Sequence, residues 1–349
     1  PAIFGSLFRS SRHVVTGPTN ALSLLVGTAA AASVGDPIAS AATLAVMVGI
    51  FQFVAGVLRL GALVDYISSA VVPGYVTGAG VLVGAGQLGN MTSTPMGNGD
   101  LFPRLYGWLS GLNNTDPRTV LIAVATAVGI LGLRRYNRNI PGPIVMIGLG
   151  IAAAWVFDFA AMGITLVDNL APVPAGLPPF IAPDFSKAGS LLSLSIAAMV
   201  LSLVESSAVG RIIAGRNGQK LDSSVEFSGQ GIANIASGLF GGYPVSGSLS
   251  RSILNEKVGA VTRLSGTLTG VFMIAVLLVL GPVINLTPLA SLAGLILVIA
   301  IDLIDLEQIR TVMRSHMGDR LAFLATVIGT WTLALDQAIY LGVVISMIQ

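Results

Sequence analysis

The sequence predicts an all-α polytopic membrane protein. Only 10% of its 349 residues are charged and 54% are hydrophobic, with a mean hydropathy of +0.85. A soluble domain carries about 25% charged residues, so this chain has too few to cover a water-facing surface. Apolar stretches of about 18 residues, the length of a bilayer-crossing helix, recur along it. The 42 glycines are typical of transmembrane helices that pack closely.

Composition also excludes several kinds of site. Cysteine is absent, which removes disulfides, thiolate metal ligands and cysteine nucleophiles. With two histidines in the whole chain, we expect no histidine-rich metal site and no cofactor. The net charge of +2 carries no nucleic-acid signal.

Ten stretches are predicted to cross the membrane. They are residues 37–58, 64–88, 117–133, 141–157, 189–214, 223–240, 261–284, 286–304, 318–335 and 336–349. Two further pieces, 18–32 and 248–259, are too short or too polar to cross alone. Residues 1–8 resemble the end of an earlier span, and the last stretch stops while still apolar, so we expect a fragment of a longer protein.

The basic residues predict the orientation. If both short pieces are half-helices, fourteen of the eighteen Lys and Arg fall on one side, which the positive-inside rule makes cytosolic. These fourteen are Arg9, Arg12, Arg59, Arg134, Arg135, Arg138, Arg211, Arg216, Lys220, Lys257, Arg263, Arg310, Arg314 and Arg320. The protein is therefore predicted to be a multi-pass protein of the inner (plasma) membrane with cytosolic basic loops.

The two short pieces have the same pattern, a Gly/Pro break and a short extended link followed by a polar helix start. In the first, Val14-Val15 reads as extended, Gly17 permits a sharp turn, and Pro18 suits the first helical position. The second runs from Gly241 to Ser252 and starts its helix at a serine-rich segment. One such break in each half of the chain is typical of an inverted-repeat transporter with a site at the bilayer midplane. The alternative is a pair of ordinary kinked helices.

A helix that begins at mid-bilayer leaves its first N–H groups without intrahelical partners, and its positive dipole end attracts an anion. Arg251 follows the second start and could strengthen such a site, although a permanently balanced charge is the alternative. The candidate anion-binding residues are Gly17, Pro18, Thr19, Asn20, Ala21, Ser246, Gly247, Ser248, Leu249, Ser250 and Arg251.

A carboxylate is predicted to lie deep in the span 189–214. Glu205 shares a helix face with Ser202 and Ser206 by its spacing, and an intramembrane carboxylate normally faces a cavity and pairs or takes up a proton. These three residues are the candidate site for a coupling cation, H⁺ or Na⁺. A structural ion pair between Glu205 and Arg251 is the alternative. Gln52, Gln87, Gln230 and Asn234 are expected to bridge helices.

Two segments of this sequence resemble the SulP family of sulfate-permease-type anion transporters. One is Phe4-Gly5-Ser6 followed by Ser10-Ser11-Arg12-His13-Val14-Val15-Thr16-Gly17-Pro18-Thr19. The other is Gly238-Leu239-Phe240-Gly241-Gly242-Tyr243-Pro244-Val245-Ser246-Gly247-Ser248-Leu249-Ser250-Arg251-Ser252. Leu203-Val204-Glu205-Ser206 and Gly231-Ile232-Ala233-Asn234 also match in order, so the resemblance spans essentially the whole chain.

The resemblance implies a 7+7 inverted-repeat transporter fold with core and gate domains and two half-helices preceded by short extended strands. Residues 1–157 would hold most of the first repeat and residues 188–349 the second. The first about two segments and the C-terminal STAS domain of the family would be missing. Glu205 would then lie in the eighth segment, where acidic residues look suited to cation coupling.

The leading functional hypothesis is H⁺- or Na⁺-coupled symport of a small anion such as sulfate, bicarbonate or a dicarboxylate by alternating access. Electroneutral anion exchange or channel-like conduction on the same scaffold is one alternative, and nucleobase–cation symport is another. An intramembrane enzyme is not expected, because neither a Ser/His arrangement nor a paired-carboxylate motif occurs in any span. We expect a homodimer in the lipid bilayer and no nucleic-acid partner.

Overall fold

The computed structural model describes residues 1–32, 36–61, 70–96, 101–137, 140–169 and 176–348. Fifteen α-helices and two short strands make up the regular structure of this part of the chain. The helices are α1 (Ala2–Phe8), α2 (Asn20–Ala32), α3 (Pro37–Val57), α4 (Val71–Thr92), α5 (Leu101–Gly111), α6 (Pro117–Tyr136), α7 (Gly142–Val156), α8 (Ala188–Asn217), α9 (Ser223–Leu239), α10 (Leu249–Lys257), α11 (Leu264–Ile284), α12 (Leu289–Leu303), α13 (Leu306–Met313), α14 (Met317–Thr332) and α15 (Leu335–Met347). The strands are β1 (Thr16–Gly17) and β2 (Ser246–Gly247).

The predicted spans correspond to helices throughout the described residues. Six helical segments there are long and apolar enough to cross a membrane, namely Pro37–Val57, Val71–Thr92, Pro117–Tyr136, Phe185–Asn217, Leu264–Ile284 and Leu289–Met313. The stretches 141–157 and 336–349 correspond to the shorter apolar helices α7 and α15. The stretches 223–240 and 318–335 became α9 and α14, of 17 and 16 residues. The predicted start of the span 64–88 lies outside the described residues.

The chain divides into two compact units, and each takes stretches from both predicted repeats. The first comprises Pro1–Val76, Leu177–Ala275 and Arg310–Gln349, and the second comprises Thr77–Gly176 and Val276–Ile309. The repeat boundaries 1–157 and 188–349 stay a prediction.

Helices α3 and α9 pack backbone to backbone in the first unit. A Cβ added at Gly49 would lie 2.6 Å from the backbone nitrogen of Ile235, and one at Gly231 would lie 2.5 Å from that of Phe53. Only residues without a side chain permit this approach, which is the small-residue packing expected between helices in lipid. Across the same interface Asn234 Nδ2 donates to Gln52 Oε1 at 2.7 Å, so the predicted bridging role of these two amides is confirmed.

In the second unit, α6 and α12 carry the packing, with Ala123 and Ala293 fully buried in one apolar cluster. An isolated antiparallel bridge between Leu166 and Pro288 ties the segment after α7 to the start of α12. A cavity of about 570 Å³ lies between the end of α4, α5 and the start of α12. Asn90, which lines it, donates to the predicted bridging residue Gln87 over 3.4 Å.

Candidate functional site

Both half-helices of the first unit are preceded by a strand, and the two strands pair with each other. β1 and β2 are antiparallel, with Thr16 opposite Gly247 and Gly17 opposite Ser246. The predicted break before each half-helix is thus one strand of a two-residue ladder. The ladder supplies hydrogen-bond partners to backbone groups that lie outside the helices. It places the starts of α2 and α10 side by side.

Two more hydrogen bonds, both made by the backbone of Val15, extend the ladder at one end. The backbone nitrogen of Ser248 donates to the carbonyl of Val15 at 3.1 Å, and that of Val15 donates to Ser252 Oγ at 2.9 Å. The start of α10 is therefore fixed directly to the segment that leads into α2.

The first half-helix begins two residues later than predicted. Pro18 does not occupy the first helical position, because α2 starts at Asn20 and its first helical hydrogen bond runs from Ser23 N to Thr19 O at 2.9 Å. Pro18 instead continues from β1, and its carbonyl accepts a hydrogen bond from Arg251 Nη2 at 2.5 Å. The second half-helix begins at Leu249, with Ser248 at the N-cap in an extended conformation.

Six backbone N–H groups at these starts lack an acceptor among the described residues. Three belong to the first turn of α2, at Asn20, Ala21 and Leu22, and three to the first turn of α10, at Leu249, Ser250 and Arg251. Ala21 and Leu22 are buried, at 3% and 0% exposure. Buried unpaired donors cost about 1–3 kcal/mol each. Two adjacent sets of such donors, each at a positive dipole end, are groups of the kind that can bind an anion.

Arg251 adds a cation to this arrangement. Its Nη2 donates to Pro18 O, while its Nε is buried and has no hydrogen-bond partner among the described residues. A Cβ added at Gly17 would lie 2.9 Å from Arg251 Nη2, so glycine at this position leaves room for the guanidinium. Nη2 is thus bonded to the backbone of the first half-helix segment, and Nε is a second donor, without a partner among the described residues.

Glu205 lies beside the start of α2. Its Oε2 accepts a hydrogen bond from Thr19 Oγ1 at 3.0 Å. Within the described part of the chain, Glu205 and Arg251 form no ion pair, so the structural ion pair considered from the sequence is absent there. The Glu205 carboxylate accepts from Thr19, and the Arg251 guanidinium donates to Pro18. The two charged groups therefore bind adjacent residues of the same segment.

The two serines on the Glu205 face have different environments. Ser202 Oγ donates to the carbonyl of Val245 at 3.1 Å, and its own lone pairs stay available. Ser206 Oγ accepts a hydrogen bond from Arg9 Nη2 at 2.8 Å. The adjacent guanidinium disfavours a cation at that oxygen, and the part of Ser206 in a coupling site stays a prediction.

The sequence did not predict that Arg9 and Glu226 are buried. Arg9 was predicted to be a basic residue of the cytosolic side, but it is 0% exposed, and its Nε lies 3.9 Å from Glu226 Oε2. Glu226 is 5% exposed and is therefore a second carboxylate in the protein interior besides Glu205. Both residues lie near the end of an apolar stretch, where a charged residue is normally predicted to lie at the membrane interface. Their partners are far along the chain, so the sequence gives no local sign that they are paired and buried.

Two tyrosines near the site were also missed. Tyr75, which is 0% exposed, donates through its hydroxyl to the carbonyl of Ala21 at 3.1 Å. The hydroxyls of Tyr243 and Ser23 lie 3.0 Å apart. Tyr243 stands in the second family-like segment, which was the available signal, whereas nothing around Tyr75 in the sequence distinguishes it.

The polar face of α9 holds the segment before β2. Val245 O accepts from Gln230 Nε2 at 2.5 Å and from Asn234 Nδ2 at 3.1 Å, and Val245 N donates to Asn234 Oδ1 at 2.7 Å. Asn234 bridges α9 to α3 as predicted, whereas Gln230 binds the non-helical segment before β2 and, among the described residues, no helix, and both residues fix the strand that leads into the site.

Paired half-helices behind a short ladder, within a bundle of membrane-crossing helices, define the membrane domain of a 7+7 inverted-repeat transporter. The structure described as "The transmembrane domain of a cyanobacterium bicarbonate transporter BicA" superposes with a TM-score of 0.84 and 24% identity, covering 97% of this chain and 87% of that one. "The overall structure of SLC26A9" gives a TM-score of 0.88 and 19% identity, covering 99% of this chain and 59% of that one. The chain has the fold of these domains.

Residues 1–326 match the Sulfate permease family, and the chain belongs to that family. It is 31% identical over 363 residues to "Probable sulfate transporter 4.2" of Arabidopsis thaliana, covering 100% of this chain and 52% of that protein. It is 28% identical over 355 residues to "Bicarbonate transporter BicA" of Synechocystis sp., covering 99% of this chain and 62% of that protein. The chain spans between half and two thirds of the length of the curated relatives it matches first. Each of these relatives bears the name of a transporter and not of an enzyme.

Proposed function

We propose that this chain forms the anion-translocating domain of a cation-coupled secondary transporter, and that a small oxyanion or carboxylate binds at the starts of α2 and α10. The observation that carries the proposal is the pair of helix starts joined by the β1–β2 ladder. Six N–H groups and the Nε of Arg251 at these starts have no acceptor among the described residues. Sulfate and bicarbonate are the first substrates to test, because relatives bear those names.

The anion would be held mainly by backbone donors. Two dipole ends and one guanidinium supply positive potential, and N–H groups fixed by helix geometry need little reorganisation on binding. Such donors recognise any small oxyanion, so the choice of substrate depends on the size and charge of the anion.

For coupling we propose Glu205, with Thr19 and Ser202 as its polar neighbours. Thr19 Oγ1 joins the carboxylate to the segment that starts α2, so binding of H⁺ or Na⁺ at Glu205 would alter the half-helix that holds the anion. This contact gives the cation site and the anion site a direct means of changing each other's affinity.

Electroneutral exchange is the second candidate. The same Thr19–Glu205 hydrogen bond could serve only to fix α2, in which case the carboxylate has a structural role. The two candidates differ in whether a cation gradient drives accumulation.

Purified protein reconstituted in liposomes decides between them. We expect uptake of labelled sulfate or bicarbonate above the internal concentration when a pH or Na⁺ gradient is imposed. Uptake only against an internal anion, with no response to either gradient, would establish exchange. Absence of uptake and of binding for both anions would contradict the proposal as a whole.

We further propose that the protein resides in the inner (plasma) membrane with its basic loops cytosolic, and that it assembles as a homodimer. The apolar surface of α11 supports contact with lipid, since Phe272 and Val279 are 66% and 73% exposed. Cross-linking in membranes tests the assembly, and labelling of single cysteines placed in the loops tests the orientation.

A further inference from the structure

The strongest unexplained feature of the first unit is a charged pair buried close to the β1–β2 ladder. Arg9 and Glu226 have side chains that are 0% and 7% exposed. Their closest approach is 3.9 Å, from Arg9 Nε to Glu226 Oε2, which is too long for a hydrogen bond. Arg9 Nε, Arg9 Nη1 and Glu226 Oε2 have no hydrogen-bond partner among the described residues. A buried pair with such geometry is poor as a stabilising ion pair.

The two charges do not lie equally close to the helix starts. Arg9 Nη2 donates to Ser206 Oγ at 2.8 Å, and Ser206 lies against β2, because a Cβ added at Gly247 would be 3.0 Å from that oxygen. Glu226 instead directs Oε1 to the backbone nitrogen of Ser11, at 2.5 Å. The Arg9 guanidinium therefore lies next to the β1–β2 ladder, through Ser206. The Glu226 carboxylate binds the segment that precedes β1, at Ser11.

We propose that Arg9 sets the electrostatic potential of the anion site from beneath the ladder, and that Glu226 limits it. This inference rests on the proposed anion site at the starts of α2 and α10. Inside a membrane protein the effective dielectric constant is low, so a fixed charge acts over several contacts without being screened by water. Arg9 and Glu226 thereby determine how strongly the site favours divalent over monovalent anions.

The proposal has a quantitative signature. A change in potential at the site acts twice as strongly on a divalent anion as on a monovalent one, because the interaction energy is proportional to the ligand charge. The factor by which the affinity for a divalent anion changes is therefore the square of the factor for a monovalent anion. A loss of packing would weaken both anions without this relation.

The test measures sulfate and chloride binding to purified protein at one pH by calorimetry. Glu226→Gln keeps an oxygen that can accept from Ser11 N–H but removes the negative charge, so binding should tighten. We expect about a fivefold gain for chloride and about a twenty-fivefold gain for sulfate. The matched control is Asp302→Asn, which neutralises one partner of the solvent-exposed pair with Arg134, and it should change neither affinity.

The double variant Arg9→Gln/Glu226→Gln has no buried charge to leave unpaired and keeps the proposal testable if Glu226→Gln alone does not fold. It should lose the positive end of the pair, so both anions should bind more weakly than in wild type, with the squared relation between their factors. If the wild-type protein binds chloride but not sulfate, tighter chloride binding in Glu226→Gln supports the proposal and unchanged chloride binding overturns it.

Equal changes for the two anions, or no gain in Glu226→Gln, would overturn the role of the pair while leaving the anion site intact. Lack of binding of sulfate, bicarbonate and chloride to the wild-type protein would instead refute the proposed function. The two failures are thus distinguishable in one experiment.

Discussion

Arg251 Nη2 donates a hydrogen bond to the carbonyl oxygen of Pro18 at 2.5 Å, across a separation of 233 residues. This contact connects the two half-helix starts directly, and the β1–β2 ladder connects them a second time. The guanidinium is therefore oriented before any ligand arrives, and its buried Nε stays without a partner in the described structure. Preorganised donors of this kind reduce the cost of ordering the site on binding.

Arg251→Ala should weaken anion binding without abolishing it. A charge-assisted hydrogen bond contributes about 1.5–3 kcal/mol, which corresponds to about a ten- to hundredfold rise in Kd. The N–H groups of the two helix starts remain in the variant and retain the rest of the affinity. Calorimetric titration with sulfate and bicarbonate measures the change. Complete loss of binding would mean that the side chain, and not the backbone donors, dominates.

Gly17→Ala is expected to act through Arg251. The new Cβ would lie 2.9 Å from Nη2 and 3.1 Å from Cζ, so the guanidinium must move away from Pro18. The variant should therefore lose about as much affinity as Arg251→Ala. In the Arg251→Ala background the same substitution should cost almost nothing, because the conflicting atoms are gone.

Gly247→Ala is the contrasting case. A Cβ there would lie 3.2 Å from Ser206 Cα and 3.0 Å from Val14 Cγ1, and neither atom belongs to the end of a flexible side chain. The strand or these neighbours must give by a few tenths of an ångström, so we expect a loss of binding that Arg251→Ala does not rescue. Additive effects of Gly17→Ala and Arg251→Ala, or a Gly247→Ala variant that binds normally, would contradict this account of the glycines.

Local signals in the sequence located the half-helices well. The pieces 18–32 and 248–259 correspond to α2, Asn20–Ala32, and α10, Leu249–Lys257. A Gly/Pro break and a polar first turn are properties of adjacent residues, so they can be read without knowledge of the fold. The pairing of β1 with β2 could be inferred only as proximity, because its register depends on contacts between distant segments.

The buried charges could not be predicted in the same way. Arg9 follows an apolar stretch and looks interfacial, and its burial depends on Ser206 and on Glu226, which are far along the chain. Glu205 was found because apolar residues surround it on both sides. Residues that become polar neighbours only through tertiary packing, such as Tyr75 beneath Ala21 O, leave no local signal.

Glu205→Gln should abolish accumulation driven by a pH or Na⁺ gradient and leave anion binding measurable. The amide keeps the shape of the side chain and can still accept from Thr19 Oγ1, but it loses the charge that a coupling cation requires. Thr19→Val removes the hydrogen bond and leaves the carboxylate, so it tests the contact that joins Glu205 to the start of α2. Accumulation measured in proteoliposomes should be lost in Glu205→Gln and lowered in Thr19→Val. Gradient-driven accumulation in Glu205→Gln would show that coupling resides elsewhere.

Asn234→Ala should lower both stability and anion affinity. The side chain makes three hydrogen bonds, two with the backbone of Val245 and one with Gln52 Oε1, and all three partners are buried. Unpaired buried groups cost about 1–3 kcal/mol each, although Gln230 Nε2 and Ser202 Oγ continue to donate to Val245 O. We therefore expect a loss of about 2–4 kcal/mol in stability, seen as a lower thermal midpoint in detergent.

Affinity should fall in the same variant because Val245 directly precedes β2, so freeing it loosens the strand that fixes the start of α10. Asn90→Ala is the matched control: Asn90 is exposed, and its one hydrogen bond among the described residues, to Gln87, spans 3.4 Å. That control should change neither the thermal midpoint nor the affinity. If Asn234→Ala lowers the midpoint but binds sulfate and bicarbonate as wild type does, α9 stabilises the bundle without positioning the site.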